Sequence, residues 1–408
     1  MQHKTIFITG ATGFLGSYIT RELFEAGFHL KLLIRNSVNE QAKGRISEVF
    51  PSGKATGSVS DILSDRIEII KGDISQKYLG LNAQTYSRLS DTVDEVFHCA
   101  AATNFYHGSD NTRVQTNVYG TKHLAWFCLS NKVKRLHYMS TAYVAGTRRN
   151  TVFEHELEKN QTFNNNYEKS KFYAEKFLRQ FIAQHNIPTT IYRPSIIIGD
   201  SRTGFTCNYD NMYVFGKGLD RLKNYEILKN NKGTRWSSRN NIGYSPSLRM
   251  PGDRYATINL VPVDYVTQAI VTISRQEQSI NKTFHIVNPS PPTLGELAEW
   301  MTFATGIHRI RVVPMYEFQI QPHTLEEKVF LKGTETFQPY MVGEPYFDPT
   351  NTKILLSGTA IECPLITQEL INHLIQYTLD THWGKKKQIA GNKCSHKQVD
   401  NIKMCNNF

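Results

Sequence analysis

The stretch TGATGFLGS, residues 9–17, leaves a chain few folds to choose from. It follows KTIFITG (4–10), apolar and β-branched as a buried strand is. It opens FLGSYITRELFEAG (14–27), where Ile19, Leu23 and Phe24 recur at helical spacing and Gly27 closes the helix. Three glycines, Gly10, Gly13 and Gly16, stand at G-x-x-G-x-x-G spacing between strand and helix. Glycines there permit a tight turn and let the backbone approach a pyrophosphate closely. The helix N-terminus adds N–H donors and the positive end of a dipole. The bland alternative is a plain glycine-rich turn, and the position after the first strand argues for nucleotide binding.

The same alternation continues. FHLKLLIR (28–35), RIEIIKGD (66–73), DEVFHCAA (94–101), KRLHYMS (134–140) and IPTTIYRPSIII (187–198) read as strands, with helices over 112–130 and 167–185. Repeated βα order with apolar, alternation-poor strands predicts an α/β fold, a Rossmann doubly wound parallel sheet with helices on both faces. A smaller, C-terminal α/β substrate-binding lobe is expected after it. The expected division is 1–200 for the dinucleotide-binding domain and 201–384 for the substrate lobe. Within that lobe, 205–256 reads as an irregular lid, rich in Asn, Gly, Ser, Lys and Tyr. INLVPVDYVTQAIVTIS (258–274) and FHIVN (284–288) would return to the first core, interleaving the two around 258–290. HTLEEKVFLKG (323–333) and TQELINHLIQYTLDTHWG (367–384) read as helices, and one more starts at Thr293. Residues 385–408 are polar and basic and are expected to be a disordered tail.

Charge narrows the partners. The chain of 408 residues carries a net +11. Segments 217–239 and 385–408 each hold a net +5, so the remainder is nearly neutral. Two local patches argue against a broad nucleic-acid surface. The first could steer an acidic carrier protein or the phosphates of coenzyme A, and its bland reading is a solvated lysine-rich loop. The second could give a weak membrane-surface contact. No stretch approaches the roughly 20 apolar residues of a membrane span. KTIFITG reads as a strand close to the first residue given, so no leader is expected. Its six cysteines show no metal-type spacing, so free thiols in a reducing cytoplasm are expected.

NYEKSKFYAEK (166–176) carries the chemistry. Tyr167 and Lys171 lie one helical turn apart, on one face. An ammonium beside a phenol favours the phenolate, so Lys171 is expected to lower the Tyr167 pKa and make it a proton donor. YMSTAYVAG (138–146) places Ser140 and Thr141 at the end of a strand, 26 residues before Tyr167 in the case of Thr141. A strand-end Ser-Thr is ordinarily a turn or cap. With Tyr167, Lys171 and the glycine turn it makes a set that could hold a carbonyl oxygen. The second strand ends in Arg35, where an NAD site commonly has an acid, and Arg45 follows; guanidinium groups suit the 2′-phosphate of NADPH. Asp73 could accept a bond from adenine.

These motifs together resemble an extended short-chain dehydrogenase/reductase. More narrowly, LLIR with Arg45, GDISQKYLGL (72–81), FHCAAATNF (97–105), YMSTAYVAG, YEKSKFYAE, YRPSIIIGDSRTG (192–204) and NLVPVDYVTQAI (259–270) are similar to the thioester reductase and fatty acyl-CoA reductase branch, the male sterility type of NAD-binding domain. The resemblance covers roughly residues 4–290. It implies that Gly10, Gly13 and Gly16 hold the pyrophosphate, with Thr12, Phe14 and Leu15 of the same turn on the cofactor. Arg35 and Arg45 would take the 2′-phosphate, and Asp73 and Ile74 would border the adenine. Ala100, Ala101 and Asn117 complete the cofactor site, and Pro194, Ser195 and Ile196 border the nicotinamide. Thr141 would position the carbonyl, with Ser140 as its understudy. Tyr167 would donate the proton, and Lys171 would bond the nicotinamide ribose. No metal is implied.

The implied activity is NADPH-dependent reduction of an acyl thioester, carried by coenzyme A or an acyl carrier protein, to an aldehyde or, with a second round, an alcohol. No adenylation or carrier segment is legible, so the thioester is expected to arrive in trans. The alternatives are a nucleotide-sugar epimerase or dehydratase, and a ketone or alcohol dehydrogenase, on the same fold. A non-catalytic NADPH sensor is a further class. Arg35 and the VPVDYV segment count against the epimerase, and an intact Thr141–Tyr167–Lys171 set against the sensor.

Overall fold

The computed structural model describes residues 4–35, 66–103, 110–131, 133–231, 248–306, 310–321 and 323–384. Strands β1 (Thr5–Thr9), β2 (His29–Ile34), β3 (Ile67–Lys71), β4 (Glu95–His98), β5 (Arg135–Met139), β6 (Thr189–Pro194) and β10 (Thr283–Ile286) form one parallel sheet. Their spatial order is β10-β6-β5-β4-β1-β2-β3. Every residue of β4, β5 and β6 is buried, because helices cover both faces of the sheet. β1 shows the division: Ile6 and Ile8 pack toward α1 (Phe14–Glu25) and α6 (Val263–Ser274), while Phe7 packs on the opposite side. There it meets the layer of α2 (Ala83–Ser90), α3 (Gly120–Ser130) and α4 (Asn166–His185), with Leu89, Leu124, Phe127, Leu178 and Phe181. Full burial of each such side chain contributes roughly 1.5–3 kcal/mol. The chain reverses its direction across the sheet between β1 and β4, and a crevice opens beyond the strand ends at such a switch point.

A third core gathers the later segments. α5 (Met212–Asn231), α7 (Leu294–Thr305), α8 (Leu325–Thr334) and α9 (Gln368–Asp380) pack with β8 (Leu248–Pro251), which pairs with β11 (Ile310–Val313). Thr293 and Glu296 form a capping box that starts α7.

Three features differ from expectation. The single strand over 187–198 is broken at Ser195. β6 stays in the main sheet, and β7 (Ile196–Ile198) pairs instead with β9 (Leu260–Pro262). The segment 205–256 is not irregular throughout, since it holds the 20-residue helix α5 and strand β8. The helix over 112–130 contains a π-helical turn, Val114–Tyr119, which runs directly into α3. Arg45, part of the 217–239 basic segment and the 385–408 tail lie outside the described residues. Among the described residues, no helix is long and apolar enough to cross a membrane, and no cluster of three or more His, Cys, Asp or Glu could hold a metal ion.

Candidate active site

The ends of β1, β4, β5 and β6 face one cleft, which continues into an apolar chamber; together they enclose about 420 Å³. The glycine turn forms one wall, from Thr12 through Gly13, Phe14 and Leu15 to Gly16. Gly10 adopts φ +77°, and a Cβ there would stand 2.5 Å from the Ala100 nitrogen. A Cβ on Gly16 would overlap the Gly10 carbonyl. Gly13 is different: its Cβ would meet only the Gly10 oxygen, at 3.3 Å. So Gly10 and Gly16 are required by the fold, while Gly13 keeps clear the space above the N-terminus of α1. That first turn has neither a side-chain cap nor an acidic residue. A cradle of this kind fits a dinucleotide pyrophosphate.

Opposite the glycines stand the polar residues. Thr141 is buried at the N-cap of the short 3-10 helix Ala142–Ala145. Its hydroxyl donates to the Pro194 carbonyl at 3.4 Å and accepts from the Tyr143 N–H at 3.3 Å. It is also a hydrogen-bond partner of the Tyr167 phenol. Tyr167 is in the first turn of α4, which Asn165 caps by accepting from the Glu168 N–H at 3.0 Å. Lys171 is buried one turn on. Its ammonium donates to the Met139 carbonyl at 2.6 Å and lies 4.5 Å from the centre of the Tyr138 ring.

The electrostatics correct one expectation. Burial pushes the Tyr167 phenol up to about 12, and the group that pulls it down is the Thr141 hydroxyl, not Lys171. Burial likewise lowers Lys171 to about 8, against the opposing charge of Glu175. Lys171 is turned toward Met139 rather than toward the phenol. Cys99 also lines the cleft, and burial holds its thiol at about 12, so it is a poor nucleophile there.

Other predicted residues are placed as follows. Ser140 lines the cleft, but its hydroxyl donates to the buried Glu175 carboxylate at 2.6 Å, leaving Thr141 as the hydroxyl beside Tyr167. Ala101, Pro194, Ser195 and Ile196 line the cleft, with the Ser195 hydroxyl donating to Asn259 at 2.7 Å. Ala100 lies behind, against Gly10. Asn117 is in the π turn, where it holds both backbone polar groups of Ala102 and donates to Ser170 at 2.9 Å, so it ties the loop after β4 to α4. Arg35 is exposed at the end of β2. Asp73 follows β3 and accepts from both the N–H and the hydroxyl of Ser75 at 2.8 Å, which is turn chemistry. Ile74 is buried against Gly120.

Further residues of the site emerge only from the fold. Glu175 is fully buried and takes Arg193 at 2.6 Å, Arg179 at 2.9 Å and Ser140. Burial would raise its pKa, but the charges of Arg193 and Arg179 hold it at about 2. Its spacing, one turn beyond Lys171, was the available signal. The chamber is walled by Met212, Phe215 and Leu219 of α5, Met250 of β8, Leu297 and Met301 of α7, Phe330 of α8, and Phe337 and Met341. These come from segments far apart in the chain, and no local pattern joins them.

A doubly wound parallel sheet with a glycine cradle at its switch point defines the class, a dinucleotide-binding α/β protein. Residues 8–270 match the family model described as male sterility protein, an NAD-binding family, and the chain belongs to that family. It is similar to a component of the linear gramicidin synthase of Brevibacillus parabrevis, 26% identical over 400 residues that make up 92% of this chain and 7% of the relative. It is similar also to the carboxylic acid reductase of Mycobacterium marinum, 26% identical over 324 residues, 74% of this chain and 26% of that enzyme. It thus spans only a small part of either relative's length. Among solved structures, the terminal R domain from the myxalamid PKS-NRPS biosynthetic pathway matches with a TM-score of 0.75 and 27% identity, over 93% of this chain and 92% of that one.

Proposed function

We propose that this chain reduces an acyl thioester to an aldehyde, with NADPH as reductant, the alcohol forming only where the aldehyde is taken through a second round. One observation carries the reading: Thr141, Tyr167 and Lys171 line the cavity that joins the glycine-walled cleft to the apolar chamber. A cofactor in the cleft and an acyl chain in the chamber would meet at those side chains. When bound, the nicotinamide supplies hydride to the carbonyl carbon. Thr141 holds the carbonyl oxygen, and Tyr167 gives it a proton as charge develops there. Lys171, fixed by the Met139 carbonyl, keeps a positive charge beside the reacting atoms. The resulting hemithioacetal expels its thiol and leaves the aldehyde. No cysteine nucleophile takes part, in keeping with the raised Cys99 pKa.

Arg35 supports NADPH over NADH, because β2 ends in a guanidinium where a carboxylate would repel the 2′-phosphate. The relatedness to a reductase domain of an assembly pathway supports a carrier-bound thioester as the natural substrate, with acyl-CoA as its soluble counterpart. Of the basic segment 217–239, Lys223 is engaged within the fold, donating to the Thr305 carbonyl at the end of α7 at 2.9 Å. The Met- and Phe-lined chamber counts against a sugar nucleotide, whose hydroxyls would need polar partners.

The test is NADPH absorbance after adding a long-chain acyl-CoA, the same acyl group on a carrier protein, or the aldehyde, with NADH controls. Loss with either thioester is expected. Turnover of ketones or alcohols with no loss on any thioester would overturn the reading.

A further inference from the structure

One strap crosses the two elements that carry Thr141 and Tyr167. It consists of the 3-10 segment Glu335–Val342 and the residues just after it. Two tyrosine–carboxylate hydrogen bonds fasten it, in opposite senses. Tyr143, two residues after Thr141, donates its hydroxyl to Glu344 of the strap at 2.7 Å. Tyr340 of the strap donates to Glu168, the residue after Tyr167, and accepts from the Asn165 side-chain amide at 2.6 Å. The two tyrosine rings meet edge to face, with centroids 5.6 Å apart.

The second bond is the informative one. Asn165 is the N-cap of α4 and Glu168 its third residue, so the Tyr340 hydroxyl contacts both ends of the turn that bears Tyr167. Glu168 is completely buried, and its other oxygen accepts from the Asn164 N–H at 2.9 Å. Tyr340 also lines the cavity beside Tyr167, together with Phe337 and Met341 of the same strap. A tyrosine serving only as packing would have no need to bridge a helix cap and a buried carboxylate at the edge of the reacting centre.

We propose that Tyr340 is a positioning residue, whose hydroxyl fixes the first turn of α4 and thereby the position of the Tyr167 phenol against the reacting carbonyl. This rests on Tyr167 being the proton donor. Displacement of a catalytic group by about 1 Å can cost up to about a hundredfold in rate, so a lost clamp is measurable.

The test compares Tyr340→Phe, Glu168→Gln and Tyr167→Phe, each assayed with a thioester and with an aldehyde. Tyr340→Phe keeps the ring against Tyr143 and deletes only the hydroxyl. It is expected to lower kcat about tenfold, with KM and the NADPH Kd within about twofold of wild type. Hydrogen exchange at the amides of 168–170 should quicken while the rest of α4 stays protected. Glu168→Gln still offers Tyr340 an acceptor and should keep kcat within about threefold of wild type. A wild-type kcat for Tyr340→Phe, or unchanged exchange across that turn, overturns the proposal, and the second of these needs no substrate. A loss in which kcat, KM, cofactor affinity and melting temperature all move together also overturns it, because that marks general damage. An inactive Tyr167→Phe beside a fully active Tyr340→Phe removes only the positioning role, whereas an active Tyr167→Phe removes the proposed mechanism itself. Turnover of the aldehyde alone would discard the thioester reading and leave the Tyr340 comparison legible in aldehyde kcat.

Discussion

Burial moves Tyr167 and Lys171 in opposite directions, the phenol up to about 12 and the ammonium down to about 8. Both are needed in their protonated forms, so the lysine is the first to fail as pH rises. The kcat/KM profile reports groups of the free enzyme, and it should fall about tenfold per pH unit above about pH 8. An alkaline limb lying only above pH 10 would contradict this assignment. The same shift bears on stability. Between about pH 8 and 10.5 an unfolded Lys171 keeps a proton that the folded one has lost, so its burial penalty at neutral pH is relieved as pH rises. The Tyr–Lys pair was legible in the sequence because four-residue spacing on a helix is local. What Lys171 touches was not, because the Met139 carbonyl and the Tyr138 ring come from a strand 32 and 33 positions earlier.

At the scale of elements, the glycine turn separates fold from ligand. Gly16→Ala drives a methyl group into the backbone carbonyl of Gly10, and Gly13→Ala crowds the same oxygen far less, at 3.3 Å. Gly16→Ala is expected to lower the melting temperature by more than about 5 °C. Gly13→Ala should lose clearly less melting temperature than Gly16→Ala yet bind NADPH at least about tenfold more weakly, since the methyl occupies the pyrophosphate's approach. Thermal melts and fluorescence titration check both, and equal effects on the two readouts would contradict the division. The β1 turn was readable because strand, glycines and helix follow one another directly. The break at Ser195 was not, because apolar β-branched residues flank it on both sides. Only the backbone shows the change of partner, with Ser195 N–H donating to Ile286 and Ile196 N–H to Asn259. α5 was hidden for a related reason. Its Gly216 and Gly218 look like loop residues, but a Cβ on Gly216 would come 3.0 Å from Trp383, so glycine there serves close helix packing.

For the whole molecule, the chamber and its strap are products of tertiary assembly: the sequence marks a substrate lobe over 201–384, but the residues that line it come from segments far apart in the chain. The strap also carries a titratable group. Glu344 is buried against Tyr143, and burial raises its pKa to about 8. A folded pKa above the unfolded value means its contribution to stability is full below about pH 4.5 and is lost as pH rises through about 8. Glu344→Gln should therefore melt close to wild type at pH 5 and a few degrees above it at pH 9. The opposite order would show that the carboxylate is folded in its charged form. The central claim, thioester reduction through Tyr167, is tested most directly by counting thiol released against NADPH oxidised on an acyl-pantetheine thioester, for wild type and Tyr167→Phe. The account predicts thiol release only in the presence of NADPH, one or two NADPH per thiol as the product is aldehyde or alcohol, and loss of both signals in Tyr167→Phe. Thiol released without NADPH, or NADPH oxidised with no thiol appearing, would contradict it.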